Sequence, residues 1–149
     1  MYNELLGLRD RYNEIRESID NACKDVIETV TEKSEIINAA FARHPEFKAV
    51  AYSGLKNYDT ASRLLDIANF VNRKRYYYCP DDYANIDSVF YFINGDLEIC
   101  VGREWEYLRI PKEVLDLEGD EFEAYVEKTI AEGVKEWNAY MAIHAHTHS

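Results

Sequence analysis

Three patterns in this 149-residue chain predict an α+β fold. A helical apolar stripe fills the first forty residues. An alternating apolar pattern around Asn94-Gly95 fills the middle, and a second helical stripe closes the chain. The expected order is a long N-terminal helix that reads as a coiled-coil arm, a second helix, a three- to four-stranded antiparallel meander, and a C-terminal amphipathic helix. At roughly 150 residues per domain this is one domain. Within it, 1–44 forms the helix and oligomerisation arm, 45–143 the α+β body, and 144–149 a histidine-containing tail.

The first helix is read over 2–43 from Leu5, Leu8, Tyr12, Ile15, Ile19, Ala22 and Val26, whose spacing alternates 3 and 4. The pattern then jumps to Val30, Ile37 and Phe41, which predicts a stutter or a break near Thr29–Thr31. The same stripe suits packing on the chain's own sheet or pairing with another copy through residues 5–41, and the sequence leaves both open. His44-Pro45 ends the helix, because the residue before proline avoids the α region. Asp59 is placed to cap a second helix over about 60–74, with Ala61, Leu64, Leu65, Ala68 and Val71 on its apolar face and Ile67 and Phe70 widening it.

Tyr76–Cys79 reads as a short strand stopped by Pro80. DSVFYFINGDLEICVG is a hairpin signal: Asn94-Gly95 suits the positive φ angles of a type I′ turn. Val89, Tyr91 and Ile93 share one face, and Phe90 and Phe92 the other; Leu97, Ile99 and Val101 alternate in the return strand. Gly102 marks a second turn and Trp105–Ile110 a third strand. PKEVLDLEGD reads as a connector clamped by Val114 and Leu115. The last helix is expected from about Asp120 to Tyr140, with Phe122, Val126, Ile130, Val134 (or Gly133), Trp137 and Met141 as its stripe.

The composition is 47% apolar, with six glycines and three prolines, which excludes disordered and collagen-like classes. No apolar run approaches the ~18–20 residues of a membrane span. The opening MYNELLGLRDRYNEIRES lacks the basic and apolar regions of a signal peptide. Cys23, Cys79 and Cys100 form no CxxC pair. Three thiols beside a full core suggest a reducing compartment, so a cytoplasmic location is expected. Cys23 and Cys100 sit in apolar patterns and read as core fillers.

Net charge is −11, and its distribution is lopsided. Residues 1–80 carry 12 acidic and 12 basic side chains, whereas 81–136 carry 16 and 5. Such a field repels nucleic acid and anionic lipid and attracts basic protein surfaces; a solvated face has the same composition. Twelve tyrosines against six phenylalanines suit an interface or simply a tyrosine-rich sheet.

Catalytic signatures are sparse. The glycines form neither GxGxxG nor GxxxxGK[ST], and no GxSxG elbow occurs. The carboxylate pairs Asp81/Asp82, Glu104/Glu106 and Glu121/Glu123 sit in polar stretches that favour full ionisation, unlike the raised-pKa acid of a glycosidase. His144, His146 and His148 would share a face of a strand, and His144 and His148 a face of a helix. Either could hold a metal for a hydrolase, although a chain end is hard to preorganise. His44 is a lone helix-end histidine. Arg73, Lys74, Arg75, Tyr76, Tyr77 and Tyr78 place cations beside rings, a pattern able to grip a nucleotide or small anion. No cofactor is expected.

The run from the hairpin through Ile110-Pro111-Lys112-Glu113-Val114-Leu115 into an acidic helix resembles a recurrent pattern in small phage and prophage accessory proteins, where strands end in an I-P-x-E-h-L segment. The likeness covers about residues 87–136 and not the N-terminal helix. It implies an accessory role, often the blocking of host defence by binding, and carries over no catalytic residue. The expected function is therefore a non-enzymatic, homo-oligomeric interaction module, a phage inhibitor of a basic nucleic-acid-binding host protein. Asp116, Glu118, Asp120, Glu121, Glu123 and Glu127 would present carboxylates to that protein. Membrane association and direct nucleic-acid binding are not expected.

Overall fold

The computed structural model describes residues 1–50, 54–72, 84–101 and 106–147, with the backbone alone at 71, 72 and 145–147. The expected strand at Tyr76–Cys79, the Gly102 turn and Trp105 lie outside the described residues. The fold is α+β: α1 (Tyr2–Ala42), α2 (Lys56–Asn72), a 3₁₀ turn (Ile86–Ser88), β1 (Phe90–Ile93), β2 (Asp96–Cys100), β3 (Tyr107–Ile110), α3 (Lys112–Asp116) and α4 (Gly119–Thr147).

The hairpin forms as its sequence dictates. Asn94 (φ 52°) and Gly95 (φ 87°) take the left-handed angles of the two-residue turn. That turn fixes the register: Ile93 opposite Asp96, Phe92 opposite Leu97, Phe90 opposite Ile99. β3 adds on the other side, with Ile110 opposite Leu97 and Leu108 opposite Ile99, giving the order β1-β2-β3. Leu97, Ile99, Leu108 and Ile110 are buried. The residues between them, Tyr91, Glu98 and Arg109, lie on the opposite face.

Helices cover the buried face. α2 supplies Tyr58, Ala61, Leu64, Ile67 and Ala68; α4 supplies Phe122, Val126 and Ile130; the second half of α1 supplies Cys23, Val30, Ile37 and Ala40. α2 and α4 approach closely at Gly133. A Cβ there would stand 3.0 Å from Ala61 Cβ and 3.2 Å from the Asn57 carbonyl, so glycine permits a closer approach than a side chain would without a shift of the neighbours. A chain of rings staples the helix ends: Phe41–Phe47, Phe47–Tyr58, Tyr58–Trp137 and Trp137–Tyr140, with centroids 5.0 to 5.6 Å apart.

Several boundaries differ from the sequence reading, each for a local reason. α1 runs without a break through Thr29–Thr31: Thr31 Oγ1 donates to the Ile27 carbonyl and Ser34 Oγ to that of Thr31, so both hydroxyls are satisfied on the helix itself. α2 starts at Lys56, not 60, because Tyr58 is already part of its buried stripe; Asp59 sits within the first turn. The expected connector after Pro111 holds the short helix α3, with Val114 fully buried. α4 continues to Thr147, past Tyr140 and into the expected tail. Cys23 and Cys100 are buried, as core fillers should be; Cys79 is outside the described residues.

Candidate functional site: a projecting arm and an acidic corner

α1 has 41 residues and so spans ~60 Å, whereas a compact chain of this length is about 40 Å across. The excess is the N-terminal half. The seam residues Leu5, Leu8, Tyr12 and Ile15 are 59%, 55%, 47% and 60% exposed, and Met1 and Tyr2 more so. The body begins to cover the stripe only at Ile19, Val26 and Ile27. Of the two roles open to this stripe, packing within its own chain applies to the second half of the helix alone, and there mainly against the other helices. A groove of about 220 Å³ runs beside the seam, lined by Tyr12, Ile15, Arg16, Ile19 and Ile86. A shallower one continues along Ile15, Ile19 and Ala22 to Phe90. Ile86 and Phe92 extend exposed apolar surface from the arm onto the body.

The second feature is the turn from α3 into α4. Asp116, Glu118, Asp120, Glu121 and Glu123 are exposed there. Lys33 of α1 anchors the turn from below. Its side chain is 8% exposed, and Nζ donates to the Val114 carbonyl at 2.5 Å and to the Leu117 carbonyl at 2.6 Å. The ammonium also lies 3.2 Å from the Glu118 carboxylate and 5.0 Å from the Phe122 ring centroid. One buried cation thus ties two carbonyls at the end of α3 to α1, which holds the carboxylates above it in a set arrangement.

The six predicted carboxylates are not equivalent. Glu118 faces Lys33, and Asp116 has Lys112 at 3.9 Å. Glu127 stands apart, half-buried against the end of α1. Arg43 Nε donates to its Oε1 at 2.7 Å, Arg43 Nη2 approaches the same oxygen, and His44 Nε2 meets Oε2 at 2.6 Å. Both oxygens are engaged within the chain, so Glu127 belongs to a clamp between α1 and α4. The hydrogen bond to Glu127 raises the His44 pKa above its ordinary value, against a lowering by burial, and the contact to Glu46 at 3.1 Å raises it further. The hydrogen bonds from His44 first, and Arg43 second, lower that of Glu127. Asp120, Glu121 and Glu123 are left as the exposed set.

The other predicted sites receive less support from geometry. Arg73, Lys74, Arg75, Tyr76, Tyr77 and Tyr78 lie outside the described residues, as do Asp81, Asp82, Glu104 and His148. His144 is on α4 and packs on the Tyr140 ring at 4.2 Å. His146 is within the same helix. Among the described residues no group of three or more His, Cys, Asp or Glu is placed to hold a metal ion, and no helix is long and apolar enough to cross a membrane.

Sequence reasoning missed a polar cleft of about 520 Å³ where the start of α2, the Asn94 turn, β3, α3 and α4 converge. Its lining includes Lys56, Arg63, Asp96, Arg109, Glu113 and Tyr125. The Tyr125 hydroxyl and Arg109 Nε are buried there, and Arg109 Nε lies 3.4 Å from the Asp96 carboxylate. The pKa of Tyr125 is pushed up to about 12, by burial first and by the charge of Glu113 second. A signal existed in the sequence: Arg109 interrupts an apolar strand, and the hairpin register puts it opposite Glu98. No protein-family model, curated protein or solved structure matches this chain.

Proposed function

We propose that this chain is a non-enzymatic interaction module that pairs with a second copy along its arm and offers its acidic corner to a basic protein surface. The exposed seam carries the proposal. Four half-exposed apolar side chains forgo roughly 1 kcal/mol each while they face water. Their alternating 3 and 4 spacing fits one kind of occupant, a helix of the same period. A second copy supplies that helix. Charges of both signs flank the seam, among them Glu4, Arg9, Arg11, Glu14 and Arg16, so two arms can meet without net repulsion. The groove beside Ile19 and Ile86 continues the apolar track onto the body.

Asp120, Glu121 and Glu123, with Asp116 and Glu118 beside them, give each copy an anionic face fixed by Lys33. A duplicated anionic face favours a cationic macromolecule and disfavours nucleic acid. The likeness of residues 87–136 to phage accessory proteins supports a basic, nucleic-acid-binding host protein as that partner. The test of the pairing is Leu8→Glu combined with Ile15→Glu. Both residues are exposed in the single chain, so its circular dichroism should be retained while sedimentation equilibrium shows the mass halved. A mass that does not depend on these residues would overturn the pairing.

A further inference from the structure

We infer that the second copy lies antiparallel along the arm, the start of its helix seated on a shelf formed by Ile86 and Phe90. The inference rests on the pairing proposed above and adds its direction and register. The place where the seam meets the body decides both. Ile86 lines one groove with Tyr12, Ile15 and Ile19, and Phe90 lines the next with Ile15, Ile19 and Ala22. The chain's own body thus stands on the seam face from Ile19 onward, while Leu5, Leu8, Tyr12 and Ile15 face water. A parallel partner in register would need that same space. The partner's Ile86 and the partner's Phe90 would arrive at the same level and on the same face, so the helices would have to part and the grooves would stay open to water.

An antiparallel partner meets no such obstacle. The steps along Leu5, Leu8, Tyr12 and Ile15 are 3, 4 and 3, which read the same in both directions. Leu5 then faces the partner's Ile15, Leu8 faces the partner's Tyr12, and the reverse contacts follow by symmetry. The same register brings Met1 level with the partner's Ile19. Met1 and Tyr2, 95% and 75% exposed in the single chain, come down on the groove beside the partner's Ile86. The free arm before Ile19 is about 26 Å long, and the partner's free arm covers that length and stops at the shelf. Arg9 and Arg11 approach their own copies at the midpoint, a small cost because both are exposed. The arrangement also separates the acidic corners. At 1.5 Å per residue Lys33, beneath the corner, lies about 35 Å from the midpoint of the paired arms. The two corners are therefore about 70 Å apart along the helix axis, and each copy takes its own basic partner.

The test is Leu5→Cys combined with Ile15→Cys, oxidised with diamide and digested with trypsin, whose cuts at Arg9 and Arg11 separate the two positions. Within one helix the two positions are about 15 Å apart, too far for a disulfide, so a link between them joins two chains. Mass spectrometry should find position 5 linked to position 15, with 5-to-5 and 15-to-15 links about tenfold rarer or absent. In the otherwise native chain, Ile86→Lys should raise the dimer Kd about tenfold, because the partner's Met1 and the partner's Tyr2 lose their seat. Like-to-like links, or a Kd indifferent to Ile86→Lys, overturn the antiparallel seat. A parent of dimer mass whose double variant gives no 5-to-15 link removes the direction alone. A parent that sediments as a monomer removes the pairing, and this inference with it.

Discussion

Replacing Lys33 with methionine removes the charge that holds the acidic corner while nearly filling its volume. The ammonium is buried and donates to the carbonyls of Val114 and Leu117. Hydrogen bonds to a charged group contribute ~1.5–3 kcal/mol each. Part of that is recovered because the variant no longer desolvates an ammonium, a cost of several kcal/mol per buried ion. Unlike the replacement of a whole buried pair by apolar groups, this change leaves two carbonyls at the end of α3 without their donor. The expected net loss is about 3 kcal/mol, which at ~2–4 °C per kcal/mol for a chain of this size lowers Tm by about 6–12 °C. Glu118 is 77% exposed, so Glu118→Gln should cost less than about 1 kcal/mol. Thermal and urea unfolding of the two variants separate the carbonyl contacts from the ion pair. A Lys33→Met protein as stable as the parent, or equal losses in both variants, would refute the assignment of the anchor to the carbonyls.

Three further outcomes follow from the geometry. Gly133→Ala places a methyl 3.0 Å from Ala61 Cβ and 3.2 Å from a backbone oxygen, so it should destabilise by about 1–3 kcal/mol in urea unfolding; an unchanged midpoint would contradict the close approach. The His44–Glu127 clamp predicts a pH signature. The raised pKa of His44 gives a contribution complete below 6.5 and lost as pH rises through its folded value, while the lowered pKa of Glu127 gives one complete above 4.5 and lost in acid. The Tm deficit of His44→Gln should therefore be largest near pH ~5.5 and shrink toward pH ~9; a deficit that grows with pH reverses the sign and removes the clamp. At the corner, Asp120→Lys with Glu121→Lys and Glu123→Lys should abolish binding to a polylysine peptide that the parent binds at ~50 mM salt and loses at ~300 mM; binding that persists at high salt would count against an electrostatic face.

The fold was legible where one rule governs a whole element. The 3-4 spacing of α1 and the Asn94-Gly95 turn each specify geometry through neighbours a few residues away; the turn forms as read, and the helix forms without the expected break near Thr29–Thr31. α3 was not legible because its helix depends on a residue 81 positions distant: Lys33 Nζ reaches the Val114 carbonyl, and PKEVLDLEGD alone is indistinguishable from a polar connector. The start of α2 was misplaced because Asp59 looks like a cap, whereas burial of Tyr58 decides the boundary. The candidate site was legible as composition, not as arrangement. Carboxylates were countable, but Glu127 was grouped with the corner only because Arg43 and His44 are distant in sequence. The cleft draws on five elements, so no window of sequence contains it.

Sedimentation equilibrium on the intact chain, across concentrations and beside the Leu8→Glu, Ile15→Glu variant, tests most directly whether the arm exists to join copies. Paired arms give a mass of twice 17.4 kDa that falls to 17.4 kDa in the variant. A parent that sediments at 17.4 kDa at every concentration would leave the seam without its occupant and contradict the pairing.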